Sequence, residues 1–378
     1  MKIKLFVLLQ ITFVLSYSDE LSFYGASLAA SSVNTKALFA GGNNASEIVS
    51  SVDIFDISAD SDDSPFTVNL SQRKIWIAST SVFDLVIFAG GCQDFYGVQA
   101  SDTIDIWNVT ANSWAKVSFL SQPRYWLTGT SAASYALFAG GTSKLGPSNR
   151  VDIFHAETWA WSTASLSQSR YSLASTTVGS MAIFAGGVSS TGPSNVVDMF
   201  QASSRTWSVS ELTQPRFNLA ATTVDNLAFF AGGNTGLHAT DVVDIFDGTS
   251  NSWRTMKLDH PRYLLVATSV GPLALFAGGI DSNGSIRNAV DVFNTTSSDW
   301  LTALRLSRGR VSITATTSQI ENGLTAMFAG GSETIETNST YFFGDVDTID
   351  IFVYCYDGTF STTLLKCTYL NRLNDFNT

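Results

Sequence analysis

The sequence predicts an all-β protein built from seven similar four-stranded sheets that stand around a common axis. Three observations predict this fold. The phrase Phe-Ala-Gly-Gly occurs seven times in the 378 residues, at spacings of 46 to 52 residues. A phrase similar to Val-Asp-Ile-Phe follows each copy. Repeats of this length are typical of solenoids and β-propellers, and the short alternating segments within each repeat indicate strands.

Each repeat contains four segments with the length of short strands, here called strands a to d. In the fourth repeat they are residues 171–178, 181–185, 196–200 and 206–212, and the second ends in the diglycine. Such strands, joined by short turns, form one antiparallel sheet. A single sheet of this kind has two apolar faces, so neighbouring sheets must cover each other. A radial arrangement closes the sheets into a ring with one blade per repeat.

Large side chains and glycines recur at fixed offsets. The aromatic residue that ends strand c precedes a Trp by seven residues in five repeats, as in Phe154 and Trp161. Aromatic residues at constant offsets favour packing between neighbouring sheets. The diglycine favours a place where backbones come close and no Cβ fits.

An arginine at the start of strand a and an aspartate at the start of strand c also recur, and both are expected near the same face of the ring. The arginines are Arg73, Arg124, Arg170, Arg216, Arg262 and Arg310. The aspartates are Asp53, Asp105, Asp152, Asp198, Asp244, Asp291 and Asp350. Strands a and c lie about 9.5 Å apart, a gap that an arginine side chain could nearly bridge. Repetition in the blades favours a structural ion pair within each blade, and the alternative is a ring of arginines that binds an anion.

Together these features resemble the kelch repeat: an apolar strand ending in Gly-Gly, an acidic and aromatic strand, and a Trp at a set offset. The resemblance covers essentially the whole chain after residue 18 and is carried by seven phased copies. It implies a β-propeller with one repeat per blade. The departures lie at the ends, where Gly25 replaces the arginine, Phe66 stands roughly in the place of the Trp, and no Trp follows Phe352.

Seven copies predict a seven-bladed propeller over residues 19–366 with a tail at 367–378, and six blades with one degenerate repeat is the alternative. The expected blades are 25–70, 73–120, 124–166, 170–212, 216–258, 262–306 and 310–365. If an N-terminal export segment is removed, too few residues precede Gly25 to supply an outer strand. Residues 359–365 are therefore expected to form strand d of the last blade.

The first 18 residues have the features of a secretory signal peptide, with Lys2 and Lys4 before an apolar run at 5–15. The run is too short for a membrane span, and an uncleaved anchor is the alternative. Six Asn-X-Ser/Thr sequons agree mildly with export: Asn44, Asn69, Asn108, Asn283, Asn294 and Asn338. We expect a secreted, N-glycosylated monomer without membrane insertion. The net charge of −11 argues against nucleic acid as a partner.

The b–c and d–a connections share one face of the ring, and the b–c loops are the longer and more varied ones. Variable loops on a rigid scaffold usually carry recognition. Aromatic residues in these loops are therefore candidate ligand contacts: Phe95, Tyr96, Tyr341, Phe342 and Phe343. The alternative is that they cap a neighbouring blade.

The sequence offers little support for catalysis. Galactose oxidase, a kelch-like enzyme, holds copper through Tyr and His ligands, but the three histidines of this chain, His155, His238 and His260, fall in different repeats. No HExxH, GxSxG or Cys–His arrangement occurs. We expect no catalytic residue, no metal and no cofactor.

The chain has three cysteines. Cys355 and Cys367 flank the last predicted hairpin and could form a disulfide, which would leave Cys92 as the one cysteine outside the disulfide.

The sequence thus predicts a non-catalytic binding or scaffold module that recognises a protein or a glycan through the b–c loop face. A propeller enzyme is one alternative, and it would need a metal or an acidic cluster in the loops of one blade. A purely structural cell-surface or matrix protein is the other, and its loops would all be alike.

Overall fold

In a computed structural model of the chain, the protein is a seven-bladed β-propeller with four-stranded antiparallel blades. The structure describes residues 27–43, 47–57, 65–301, 303–320, 323–333, 348–355 and 360–361. The predicted fold class is confirmed, and the six-bladed alternative is wrong. The regular elements in these ranges are all strands. None of these ranges holds a helix long and apolar enough to span a membrane.

The first three blades follow the chain in the order a to d. Blade 1 comprises β1 (Ala29–Val33), β2 (Lys36–Ala40), β3 (Ser51–Asp56) and β4 (Phe66–Asn69). Blade 2 comprises β5 (Ala78–Val82), β6 (Leu85–Ala89), β7 (Thr103–Asn108) and β8 (Ser113–Phe119). Blade 3 comprises β9 (Thr128–Ala132), β10 (Tyr135–Ala139), β13 (Arg150–His155) and β14 (Ala160–Ser165), with a small hairpin of β11 (Thr142–Ser143) and β12 (Gly146–Pro147) in its b–c loop.

The remaining four blades repeat this pattern. Blade 4 comprises β15 (Ala174–Val178), β16 (Met181–Ala185), β19 (Val196–Gln201) and β20 (Thr206–Glu211), with a loop hairpin of β17 (Val188–Ser189) and β18 (Gly192–Pro193). Blade 5 comprises β21 (Ala220–Val224), β22 (Leu227–Ala231), β23 (Val242–Asp247) and β24 (Ser252–Lys257). Blade 6 comprises β25 (Val266–Val270), β26 (Leu273–Ala277), β27 (Ala289–Asn294) and a divided outer strand, β28 (Asp299–Trp300) and β29 (Leu304–Arg305). Blade 7 comprises β30 (Thr314–Ile320), β31 (Gly323–Ala329), β32 (Ile349–Cys355) and β33 (Phe360–Ser361).

The last blade takes its outer strand from the C-terminal part of the chain. Within the predicted segment 359–365 the structure describes residues 360–361, and these form β33, which pairs with β32. All four strands of blade 7 therefore come from its own repeat, and β1 begins the first blade without a strand before it in the described ranges.

The hydrophobic core is divided among the interfaces between blades. Each of seven clusters of buried side chains combines residues of two successive blades. One of them joins Phe39 and Phe55 of blade 1 to Met327 of blade 7, so the ring is closed by packing. Within a blade, the recurring aromatic and Trp are cross-strand partners, as for Phe154 and Trp161 with ring centroids 5.0 Å apart. Full burial of a large apolar side chain contributes about 1.5–3 kcal/mol, so these interfaces supply most of the stability.

Hydroxyl groups join the innermost strands of neighbouring blades. Thr130 Oγ1 lies 2.8 Å from Thr177 Oγ1, which also donates to the carbonyl of Ser131 at 2.7 Å. Thr316 Oγ1 donates to Ser32 Oγ at 2.8 Å, and this bond links the last blade to the first. Strand a has one edge without a strand partner, where unpaired carbonyls would be unfavourable. The Ser and Thr hydroxyl groups donate hydrogen bonds to some of the carbonyls on that edge.

Candidate functional site

The diglycine brings two successive blades into backbone contact on the b–c face, the face that carries the b–c and d–a connections. Gly187 N donates to the carbonyl of Arg216, which precedes the next blade, at 2.9 Å. A Cβ on Gly186 would lie 2.5 Å from the same carbonyl oxygen, and the φ of Gly186 is +68°. Both facts require glycine there, because an L side chain would be strained and would collide with backbone. The diglycine thus serves the fold.

The recurring basic residue and aspartate form one buried ion pair within each of blades 2 to 7. The pairs are Lys74–Asp105, Arg124–Asp152, Arg170–Asp198, Arg216–Asp244, Arg262–Asp291 and Arg310–Asp350. Arg170 also donates to the carbonyls of Gly186 and Val196, both at 2.6 Å. Asp198 accepts the backbone N–H of Ser167 from the d–a connection at 2.8 Å. The pair therefore ties the ends of strands b and c to the preceding connection.

The buried arginines do not face an anion site. Their side chains are 0% exposed, so an anion at the mouth of the channel could not contact them. Burial lowers the pKa of the Arg124 guanidinium to about 10, and the charge of Asp152 opposes that shift. The geometry supports a structural pair in each of these blades.

The prediction of Arg73 as the basic residue of blade 2 is corrected by the structure. Arg73 is exposed, and the neighbouring Lys74 is buried, with its Nζ 2.9 Å from Asp105. Lys74 lies 14 residues before Phe88, the spacing at which the arginines stand in the four regular repeats. In blade 1, where the sequence has Gly25, Asp53 accepts a hydrogen bond from Thr67 Oγ1 at 2.8 Å.

Seven equivalent residues surround the mouth of the central channel on the b–c face, each two residues before strand a. This mouth ring consists of Ser27, Trp76, Trp126, Ser172, Asn218, Leu264 and Ser312. All seven have left-handed backbones, with φ between 51° and 59°. Backbone hydrogen bonds connect neighbours, as from Ser172 N to Trp126 O at 3.0 Å and from Ser27 N to Ser312 O at 3.3 Å. The backbone of the mouth ring therefore repeats in all seven blades while its side chains differ.

Two neighbouring members of the mouth ring are tryptophans that belong to an aromatic cluster. The ring centroids of Trp76 and Trp126 are 4.9 Å apart. Tyr125 lies 5.4 Å from Trp76 and 4.9 Å from Trp126. Tyr171 stacks on Trp126 at 5.6 Å with an interplanar angle of 21°. All four side chains are half-buried, so the cluster combines packing with an accessible surface.

The b–c loops carry exposed apolar side chains beyond the mouth ring. Tyr96 is 79% exposed in blade 2, Leu145 is 89% exposed in blade 3, and Leu237 is 90% exposed in blade 5. Phe95 is half-buried and packs against a small cluster that contains Cys92. The candidates Tyr341, Phe342 and Phe343 lie outside the described residues.

Asp94 organises the b–c loop of blade 2. Its carboxylate accepts the N–H of Tyr96 at 2.6 Å and of Val98 at 3.2 Å, and it also accepts the N–H of Gln99. Burial opposes ionisation of Asp94, but these backbone donors outweigh it and hold the pKa of the carboxyl below its usual value. The loop that presents Tyr96 is therefore ordered by the carboxylate of Asp94.

Cys92 is expected to resist thiol reagents in the folded protein. The residue is buried, and this burial raises the pKa of its thiol, so little thiolate forms at pH 8. The disulfide predicted between Cys355 and Cys367 lies outside the described side chains. If it forms, Ellman's reagent should find no reactive thiol in the native protein and one per chain in guanidinium chloride without reductant. Rapid reaction in the native state would contradict the burial of Cys92, and three thiols on unfolding would contradict the disulfide.

The histidines and the acidic residues do not form a metal site in the part of the chain that the structure describes. No group of three or more His, Cys, Asp or Glu side chains suited to a metal occurs there. His155 ends strand c of blade 3 and stacks on Tyr135, with ring centroids 4.7 Å apart. His238 lies in the b–c loop of blade 5, and His260 lies beside Asp259 in a d–a connection. The structure thus keeps the three histidines in different blades.

A cleft of about 380 Å³ lies beside the divided outer strand of blade 6. Its lining residues are Lys257, Leu258, Asp259, Asp291, Trp300, Leu301 and Ala303. The buried carboxylate in this cleft is that of Asp291, which already pairs with Arg262. The cleft therefore lies between the end of blade 5 and the outer strand of blade 6, and its buried carboxylate already has a partner.

The opposite face, which carries the a–b and c–d turns, also has exposed aromatic residues. Phe83 is 59% exposed in the a–b turn of blade 2, and Trp159 is 40% exposed in the c–d turn of blade 3. Asn34 and Asn112 occupy the equivalent left-handed turn positions in blades 1 and 2. Phe83 and Trp159 are isolated from the mouth ring and provide controls for it.

Four of the predicted N-glycosylation positions fall on described residues. Asn69 and Asn283 are exposed, and Asn108 and Asn294 are half-buried at the beginning of c–d turns. Asn108 Oδ1 accepts the N–H of Ala111 at 2.6 Å. Asn44 and Asn338 lie outside the described residues.

The aromatic part of the mouth ring was missed in the sequence, although a signal was available. The residue two positions after the basic residue is Ser, Asn or Leu in most repeats and Trp in two of them. Aligning the repeats on the basic residue would have shown this departure.

No protein-family model matches the chain. No curated protein matches it significantly.

Proposed function

We propose that this chain is a secreted, non-catalytic binding module of the kelch type that recognises a protein or a glycan through its b–c face. Support for the kelch type comes from the diglycine, the buried ion pairs and the recurring Trp, all of which have a structural role in the blades. Support for export comes from the signal-like segment at 1–18 and from the exposed sequons at Asn69 and Asn283.

One observation carries the proposal: the blades are alike in their scaffold residues and unlike on the b–c face. Ion pairs and diglycines recur with little change from blade to blade. The mouth ring, by contrast, holds Trp in two blades, and exposed apolar tips stand on three b–c loops. Apolar and aromatic side chains that reach solvent on a rigid frame are typical of binding surfaces.

Two variants test whether the b–c face binds the partner. One has three changes on this face, and the other has two changes on the opposite face. The face variant carries Tyr96→Ser, Leu145→Thr and Leu237→Ser; Thr191 stands at the position of Leu145 in blade 4. The control carries Phe83→Asn and Trp159→Asn on the opposite face, which are the residues of blades 1 and 2 at those turns. Purified proteins are compared on a glycan array and in capture of extracellular proteins.

We expect the wild type and the control to bind the same partner and the face variant to lose at least tenfold in affinity, because exposed apolar anchors dominate such contacts. Equal loss in the control, or full binding by the face variant, would contradict the proposal. Stoichiometric copper or zinc in the purified protein would instead favour an enzyme.

A further inference from the structure

The mouth ring places tryptophan where the backbone does not favour it. A bulky residue rarely adopts a left-handed backbone, whereas Asn tolerates it well. Trp76 and Trp126 nevertheless do so, with φ of 56° and 52°. Ser172 and Ser312 adopt the same conformation in other blades, so the fold does not need an indole there. Trp159 on the opposite face has the same left-handed backbone, with a φ of 57°, so what distinguishes Trp76 and Trp126 is that they meet at the channel mouth, with ring centroids 4.9 Å apart.

The mouth ring also contains hydrogen-bonding groups, of which Ser172 is the neighbour of Trp126. Within the described part of the chain, the side chains of Ser172, Asn218 and Ser312 make no hydrogen bond to another residue. These three side chains are half-buried at the mouth. Two hydroxyls and one amide offer both donors and acceptors. The mouth ring thus combines aromatic faces with polar groups that are available to a ligand.

The charges of the protein select against anionic ligands. None of the seven residues of the mouth ring is charged. The arginines behind the ring are fully buried and paired, so they present no positive charge to the channel. The net charge of −11 repels acidic polymers. An anion is therefore disfavoured at the mouth ring, and a cation would find no carboxylate partner among its seven residues, so a neutral ligand fits it best.

We propose that the mouth ring binds the ring of a neutral saccharide, stacked on the indoles of Trp76 and Trp126 and hydrogen-bonded by Ser172 and Asn218. The C–H bonds on one face of a pyranose carry a partial positive charge and suit the negative face of an indole. Its hydroxyl groups suit the small uncharged polar side chains beside the indoles. The inference rests on the proposed function, because it names the ligand class for the b–c face.

The test compares single variants whose new residues already occur at equivalent positions of the chain. Trp76→Ser and Trp126→Ser introduce the residue of blades 4 and 7, and Trp159→Asn removes an exposed Trp from the opposite face. The probes are neutral N-glycans and neutral β-1,3- and β-1,4-linked hexasaccharides, with heparin and hyaluronan hexasaccharides as acidic controls. Affinity is measured by titration, and saturation-transfer NMR reports which sugar protons contact the protein.

We expect a neutral saccharide to bind with saturation of its ring C–H protons. Each mouth variant should weaken this binding by about tenfold or more, because buried aromatic anchors dominate binding energy. Trp159→Asn should bind within about twofold of the wild type, since its change lies on the opposite face. Melting temperatures of the variants show whether each protein is folded.

Three results would overturn the inference: no binding to any neutral saccharide, binding that both mouth variants retain, or a preference for the acidic probes. The proposed function is judged separately by the face variant. If the mouth variants have no effect while the face variant loses a protein partner, the b–c face binds a protein and the saccharide inference fails. If neither set of changes affects binding, both proposals fail.

Discussion

Replacing Asp198 with Ala is expected to destabilise the propeller by about 3–5 kcal/mol, because the change leaves a buried guanidinium without its counter-ion. The side chain of Arg170 is 0% exposed and that of Asp198 is 3% exposed. Burial already lowers the pKa of Arg170, and Asp198 opposes that shift. The substitution also removes the acceptor of the Ser167 N–H. Denaturant unfolding of the wild type and the variant measures the effect.

Two further variants show whether the loss comes from the buried charge. Lys257→Ala removes an ion pair with Asp241 in which the lysine is 73% exposed, and it should change stability by less than about 1 kcal/mol. Adding Arg170→Met to Asp198→Ala should restore part of the loss, because an apolar side chain there has no charge to desolvate. An unchanged unfolding midpoint for Asp198→Ala would contradict the structural role of the pair.

Replacing Gly186 with Ala is expected to destabilise the protein by about 3 kcal/mol or more. The left-handed φ of +68° disfavours an L residue, and the new Cβ would lie 2.5 Å from the carbonyl oxygen of Arg216 in the next blade. Because that oxygen is held by Gly187 N, the two blades would have to separate locally. Thermal and denaturant unfolding measure the loss.

Gly179→Ala separates the effect of φ from the effect of crowding. Gly179 has a φ of +57° and nothing within 4 Å of an added Cβ. Ala133 already occupies the equivalent turn of blade 3 with a φ of 51°. This change should therefore destabilise the protein by only about 1 kcal/mol. Equal losses for the two glycine variants would show that the close approach between blades contributes nothing.

The repeated residues made the scaffold predictable from the sequence. A buried diglycine, a buried ion pair and an aromatic next to a Trp each need the same environment in every blade that has them, so each recurs at a fixed spacing. Seven copies of the Phe-Ala-Gly-Gly phrase predicted seven blades, and the structure has seven. The prediction of Arg73 was wrong because blade 2 has a lysine, Lys74, at the constant spacing where the regular repeats have arginine.

The candidate site was less predictable because it depends on departures from the repeat. Trp76 and Trp126 reach the mouth through a left-handed backbone, and the local sequence of a tryptophan gives no sign of that conformation. Their contact with Tyr125 and Tyr171 arises only when blades 2, 3 and 4 are placed side by side. The loop aromatics Phe95 and Tyr96 were recognised from the sequence because they interrupt a polar loop.

Repeated residues of the chain build the ring, and we propose that unrepeated residues on the b–c face bind a ligand. Stability and saccharide affinity measured on one preparation of Trp126→Ser test this division most directly. We predict a free energy of unfolding within about 3 kcal/mol of the wild type, since three aromatic contacts of a half-buried side chain are lost, together with binding of a neutral saccharide weakened about tenfold or more. An unchanged affinity accompanied by a large loss of stability would contradict the account.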